Sequence, residues 1–153
     1  VVELLLMAHV FCGVACLLAT VWLAVEVLNA SEANARRIGV VSWAAAVSMW
    51  LAFLIGGYWY VTYYRGDKAI ILRGPWPLAH NYFMETKEHL VIVLLLAATY
   101  LPIAAANNLA VNTNARRLVL VVAAAVAGLS LLSEGHGAII ALGVKVALLA
   151  RSH

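Results

Sequence analysis

At 153 residues the chain has the length of one ordinary domain, and 65% of it is hydrophobic against 11% charged, with a mean hydropathy of +0.96. A soluble domain of this size cannot hide that much apolar surface, whereas a lipid-facing one need not hide it. The net charge of +3 comes from arginine pairs and connecting-segment lysines, not from a basic stripe interleaved with aromatics, so nucleic acid is not an expected partner.

A membrane-crossing helix needs about 20 largely apolar residues. Four stretches meet that length: Val1–Leu28, Val40–Tyr64, Tyr82–Ala106 and Leu118–Ala150. No water reaches a lipid-exposed backbone, so each stretch is expected to be helical. The expected fold class is all-α: one integral membrane four-helix bundle covering the whole chain. In the first stretch Cys12 and Cys16 lie one turn apart, a spacing unsuited to a disulfide within a helix. The first connection is polar and ends in Asn34-Ala35-Arg36-Arg37. The second span closes on a belt of Tyr58, Trp59, Tyr60, Tyr63 and Tyr64. Arg65 to Asn81 reads as a loop carrying Asp67, Lys68, Arg73 and the turn-forming Gly74-Pro75-Trp76-Pro77, with His80 solvated in it. The terminal His153 reads as solvated too.

The third connection repeats the block as Asn114-Ala115-Arg116-Arg117, an offset at which His9 also falls on His89 and Gly57 on Gly137. This pattern predicts a tandem duplication of a helical hairpin, with the first and third helices diagonal across the bundle. The compact arginine pairs favour short connections on the inside of a bacterial-type inner membrane, and the aromatic belt at the opposite face.

Counting about 1.5 Å per residue from the short connections puts His9, His89 and His136 at nearly one depth. Ionisable residues inside a membrane are costly and are candidates for function. Neutral imidazoles from two facing helices can hold both axial positions of a haem iron. Gly13, Gly56 and Gly137 stand at the same level and would let a flat macrocycle approach the backbone. The ligand pair is His9 with His89, by the symmetry of the repeat, or His89 with His136. Lys87, Glu88 and Glu134 form a possible proton or quinone site beside this layer. Glu85 shares a face with His89.

With His9 and His89 on alternate helices, His136 on the fourth, and Gly13, Gly56, Gly57, Gly135 and Gly137 around them, the chain resembles the four-helix membrane b-type cytochromes of quinone-linked respiratory complexes. The resemblance implies one bis-His haem b, electron transfer between quinone and a protein partner, and other subunits in a membrane redox complex. The chain would then be a redox subunit and not an enzyme on its own. It departs from the two-haem cytochrome b pattern in having a single histidine layer. Two other readings stand beside this one. The first is a copper or iron site using Cys12, Cys16, Met84 and Glu85 with the histidines. The second is a cofactor-free structural subunit of a larger membrane complex.

Overall fold

The computed structural model describes residues 1–152, and the expectation for His153 lies outside them. Four helices make up the chain: α1 Val2–Leu28, α2 Ala35–Arg73, α3 Glu85–Ala105 and α4 Thr113–Leu149. A short 3₁₀ turn, Glu32–Asn34, leads into α2, and a π-helix, Ala79–Met84, leads into α3. All four are long and apolar enough to cross a membrane. Large apolar side chains such as Leu4, Phe11, Leu18, Val121 and Leu131 point outward, as lipid contact requires.

Around the bundle α1 packs on α2 and α4, and α3 packs on the same two. The first and third helices are therefore diagonal. Small residues set this packing. Cys16 on α1, Ala45 on α2, Ala98 on α3 and Ala123 on α4 are all essentially inaccessible, and such residues let helix backbones approach closely where no hydrophobic drive separates helix from lipid.

At the end with the short connections, Glu26 organises the first turn. It takes Arg37 in an ion pair at 3.0 Å and accepts from Asn34 Nδ2 at 2.9 Å. The Arg116 guanidinium ties the two connections together by donating to the Ala30 carbonyl at 3.1 Å. Asn34 is buried, but its counterpart Asn114 is exposed. Asn112 caps α4 instead, accepting from the Ala115 amide.

The other end differs from the expected loop. Helix α2 does not stop at the aromatic belt; it runs 39 residues to Arg73, about 58 Å at the standard rise and far longer than a bilayer core. Arg65, Asp67 and Lys68 are ordinary helix residues once the chain has left hydrocarbon. Only Gly74-Pro75 ends the helix, because proline disfavours the α conformation before it. Helix α4 extends past the bilayer level in the same way, and the two extensions clasp the π-helix. Tyr64, Ile71, Ala79, Met84 and Ile140 form a second apolar cluster there.

This topology puts both short connections on one side. Cysteines replacing Ser31 and Val111, both exposed, should react with an impermeant thiol reagent from one face of oriented vesicles, and a cysteine at Pro75 from the other face. Labelling of the Ser31 and Pro75 positions from the same face would contradict four crossings.

Candidate functional site

Near the aromatic end, three ionisable side chains from three helices turn into the bundle. Each sits against a glycine of another helix. His9, on α1, lies over Gly56 of α2, where a β-carbon would overlap the imidazole. Its Nδ1 lies 2.8 Å from the Ala52 carbonyl oxygen. That oxygen can only accept, so Nδ1 carries the proton and Nε2 is left with the lone pair. Glu134, on α4, presses its carboxylate into the space a β-carbon would fill on Gly13 of α1. Lys87, on α3, brings Nζ to 2.9 Å from where a β-carbon of Gly137 on α4 would stand. Gly137 follows Glu134 by three residues on α4, so Lys87 Nζ stands about one turn from Glu134, although it makes no direct ion pair with the carboxylate.

The depths expected for His9, Gly13, Gly56, Gly137 and Glu134 therefore coincide, but the glycines do not clear a slot for a macrocycle. They are notches already filled by His9, Lys87 and Glu134. Gly57 and Gly135 have open space where a side chain would go. A cavity of about 20 Å³ remains beside His9, Gly13, Ser130, Ser133 and Glu134.

The other two histidines do not join this layer. Lys87, Val91, Leu94, Ala98 and Leu101 form the inward stripe of α3, while His89 is exposed. It stands about 200° round the helix from Lys87 at 100° per residue, on the face of Ile92, Val93 and Leu96. Its Nδ1 is 2.7 Å from the Glu85 carbonyl oxygen one turn back. His136 is half-buried beside the π-helix, its ring centroid 5.4 Å from that of Phe83 and its Nδ1 2.6 Å from the Leu132 carbonyl oxygen. In all three histidines Nδ1 is engaged by a backbone carbonyl and Nε2 is available, an arrangement that suits metal ligation.

This packing leaves little room for a haem beside His9. A cofactor pocket spans about 300–1,000 Å³, against about 20 Å³ beside His9, and His89 faces away from His9. Among the described residues, no group of three His, Cys, Asp or Glu side chains could hold a metal ion. Cys12 and Cys16 are free thiols.

A second polar group lies just above the layer, and it includes the histidine that sequence reasoning had placed in solvent. His80 is 2% exposed. Its Nδ1 is 3.0 Å from the Tyr64 hydroxyl and its Nε2 3.4 Å from Glu85 Oε1. Burial follows from the helical extension of α2, which carries Tyr64 and Ile71 up beside the π-helix. A π-turn is itself a frequent mark of a working site, but the sequence gives little sign of one. Tyr60 stacks on Tyr64 at 5.2 Å and lies beside Glu88. Glu88 Oε1 and Trp59 Nε1 are buried without hydrogen-bond partners, an acceptor and a donor flanking the Tyr60–Tyr64 stack.

The fold and this layer define a class, a multi-pass helical membrane protein with an ionisable layer near one end of its bundle. Comparison with family models, curated proteins and solved structures finds no match.

Proposed function

We propose that the chain is a membrane-embedded subunit of a quinone-linked electron-transfer complex, and that it contributes proton handling by the layer of His9, Lys87, Glu88 and Glu134. One observation carries this reading: three ionisable side chains from three helices each occupy a glycine notch in an apolar bundle. A charged residue inside the membrane is costly, up to about 2.5–3.5 kcal/mol at its centre on insertion scales and less towards an end, so such groups persist where they work. The unpartnered Trp59 Nε1 and Glu88 Oε1 supply a donor for a quinone carbonyl and an acceptor for a quinol hydroxyl. The electrons come from other subunits. Haem b enters this reading through the free Nε2 atoms of His89 and His136, but no step is assigned to it, since the interior does not fit the group.

The test is a titration of the purified chain in lipid nanodiscs with decylubiquinone and with a short-chain naphthoquinone, following tryptophan emission. Saturable quenching that is lost in Trp59→Phe combined with Glu88→Gln supports the reading, and no saturable quenching removes the quinone. The same sample gives an optical spectrum. A Soret band lost in both His9→Ala and His89→Ala would replace this reading with the b-type cytochrome one. The cofactor-free structural reading is favoured by the close packing around His9. It requires a complex that stays active when His9, Lys87 and Glu134 are all neutralised.

The two hairpins are further proposed to be copies of one ancestral hairpin. Supporting this, the crossing helices alternate in length: 27 residues for α1, 39 for α2, 27 for the π-helix with α3, and 37 for α4. The shared Asn-Ala-Arg-Arg block supports it as well. The opposite orientations of His9 and His89 are then divergence after duplication. We also propose that the arginine-paired connections face the inside of a bacterial-type inner membrane, which the labelling experiment above reads directly.

A further inference from the structure

We infer that the cavity between α1 and α4 holds one water that joins Glu134, Ser130 and His9 into a proton-exchange site, reached from the aromatic end only. This goes beyond the quinone reading, since a protein that binds no quinone can still show it.

A cavity needs about 10–15 Å³ of this measure to hold a water, together with two to four polar partners. This one offers about 20 Å³, with His9, Ser130, Ser133 and Glu134 in its lining. Ser130 makes the case specific. It is 3% exposed and its Oγ has no hydrogen-bond partner. The Cys16 thiol of α1 lies beside it, a weak partner that does not satisfy the hydroxyl. A buried hydroxyl left without a partner, in a cavity of this size with His9, Ser133 and Glu134 also at its wall, calls for a water.

The exchange balances as follows. The carboxyl O–H of Glu134 gives its proton to the water, the water passes one of its own to His9 Nε2, and the Nδ1–H of His9 stays on the Ala52 carbonyl. No electron moves. The titratable groups near the site besides Glu134 are His9 and the Cys16 thiol from α1 and Lys87 from α3, whose own lining residues are Val91 and Leu94. Helix α2 lines the cavity only with Met49 and Ala52. Lys87 stabilises the carboxylate formed when the proton leaves.

Access is one-sided. Towards the short connections the bundle is closed by side chains such as Ala45, Leu94, Ala98, Leu101 and Val126. Thr20 and Ser42, the polar groups buried there, bond carbonyls of their own helices at 2.8 Å. Towards the aromatic end the next side chains are Lys87, Glu88 and Glu85, and the Glu85 side chain is 50% exposed.

The test is infrared difference spectroscopy on the full chain in nanodiscs, stepping the pH and exchanging H₂O for D₂O. One carboxylic-acid band should appear on the acid step, shift in D₂O, and vanish in Glu134→Gln. Ser130→Val replaces the hydroxyl with a methyl and adds a second methyl that fills the cavity and expels the water, so the same band should exchange about tenfold more slowly. A band that survives Glu134→Gln, or that exchanges at the parent rate in Ser130→Val, overturns the inference. If Glu134→Gln fails to fold, a high-resolution map of the parent decides. Density for a water within hydrogen-bonding reach of Ser130 Oγ and Glu134 supports the site, and an empty cavity contradicts it. In oriented vesicles the band should follow an acid step applied at the aromatic face. A prompt response to a step at the other face would refute one-sided access.

Discussion

Replacing Lys87 with methionine is expected to destabilise the protein by about 1–2 kcal/mol, less than breaking a buried pair in contact, because Lys87 and Glu134 are half-buried and not in direct contact. Lys87 places its Nζ on Gly137, one turn from Glu134, and methionine keeps the length of its stem while removing that charge. Glu134 is then left in an apolar interior without compensation. It can recover part of the loss by binding a proton, which bounds the effect from above. Combining Lys87→Met with Glu134→Gln removes both charges and should restore more than half of the lost stability. Unfolding in mixed micelles, followed by helical circular dichroism, measures all four corners of this cycle. Additive losses would show that the two residues do not act on each other.

The second large effect concerns glycine. Ordinarily, replacing a helical glycine with alanine is favourable by up to about 1 kcal/mol. At Gly56 the sign should reverse. A β-carbon there overlaps the His9 ring and forces it off the Ala52 carbonyl, so overpacking should cost about 1–3 kcal/mol. Gly57→Ala, one residue on and facing open space, is the matched control and should be neutral or mildly stabilising. Equal outcomes at the two positions would mean that His9 does not occupy the notch.

Much of the architecture was legible in the chain. Hydropathy alone locates the four crossings, since no soluble core could absorb those runs, and the brevity of the polar connections makes the helices neighbours. The common depth of His9, Gly56 and Glu134 also follows from counting residues. Depth is only half of a position on a helix, however. His89 and Lys87 differ by two residues, a small step along the axis and about 200° around it. The inward stripe through Lys87, Val91, Leu94 and Ala98 already assigns the interior to lysine, and the expectation of a repeat obscured this by pointing to histidine.

The end of α2 was misread for a different reason. Charged residues after an aromatic belt look like a loop when the bilayer is the only organising frame, yet in water they are good helix formers. His80 then appeared solvated because its partner Tyr64 seemed to end a span, when it begins an extension. No feature of the local sequence signals the π-turn that aims His80 at Tyr64 and Glu85, because that turn is fixed by packing between the extensions of α2 and α4.

The most direct test of the central claim, that ionisable side chains from three helices converge inside the bundle, is magic-angle-spinning NMR of the chain in lipid bilayers with ¹⁵N-lysine and ¹³C-glutamate labels. A dipolar correlation between Lys87 Nζ and the Glu134 carboxyl carbon, absent from Lys87→Met, is the expected result. A Glu134 carboxyl that correlates with no lysine nitrogen would contradict it.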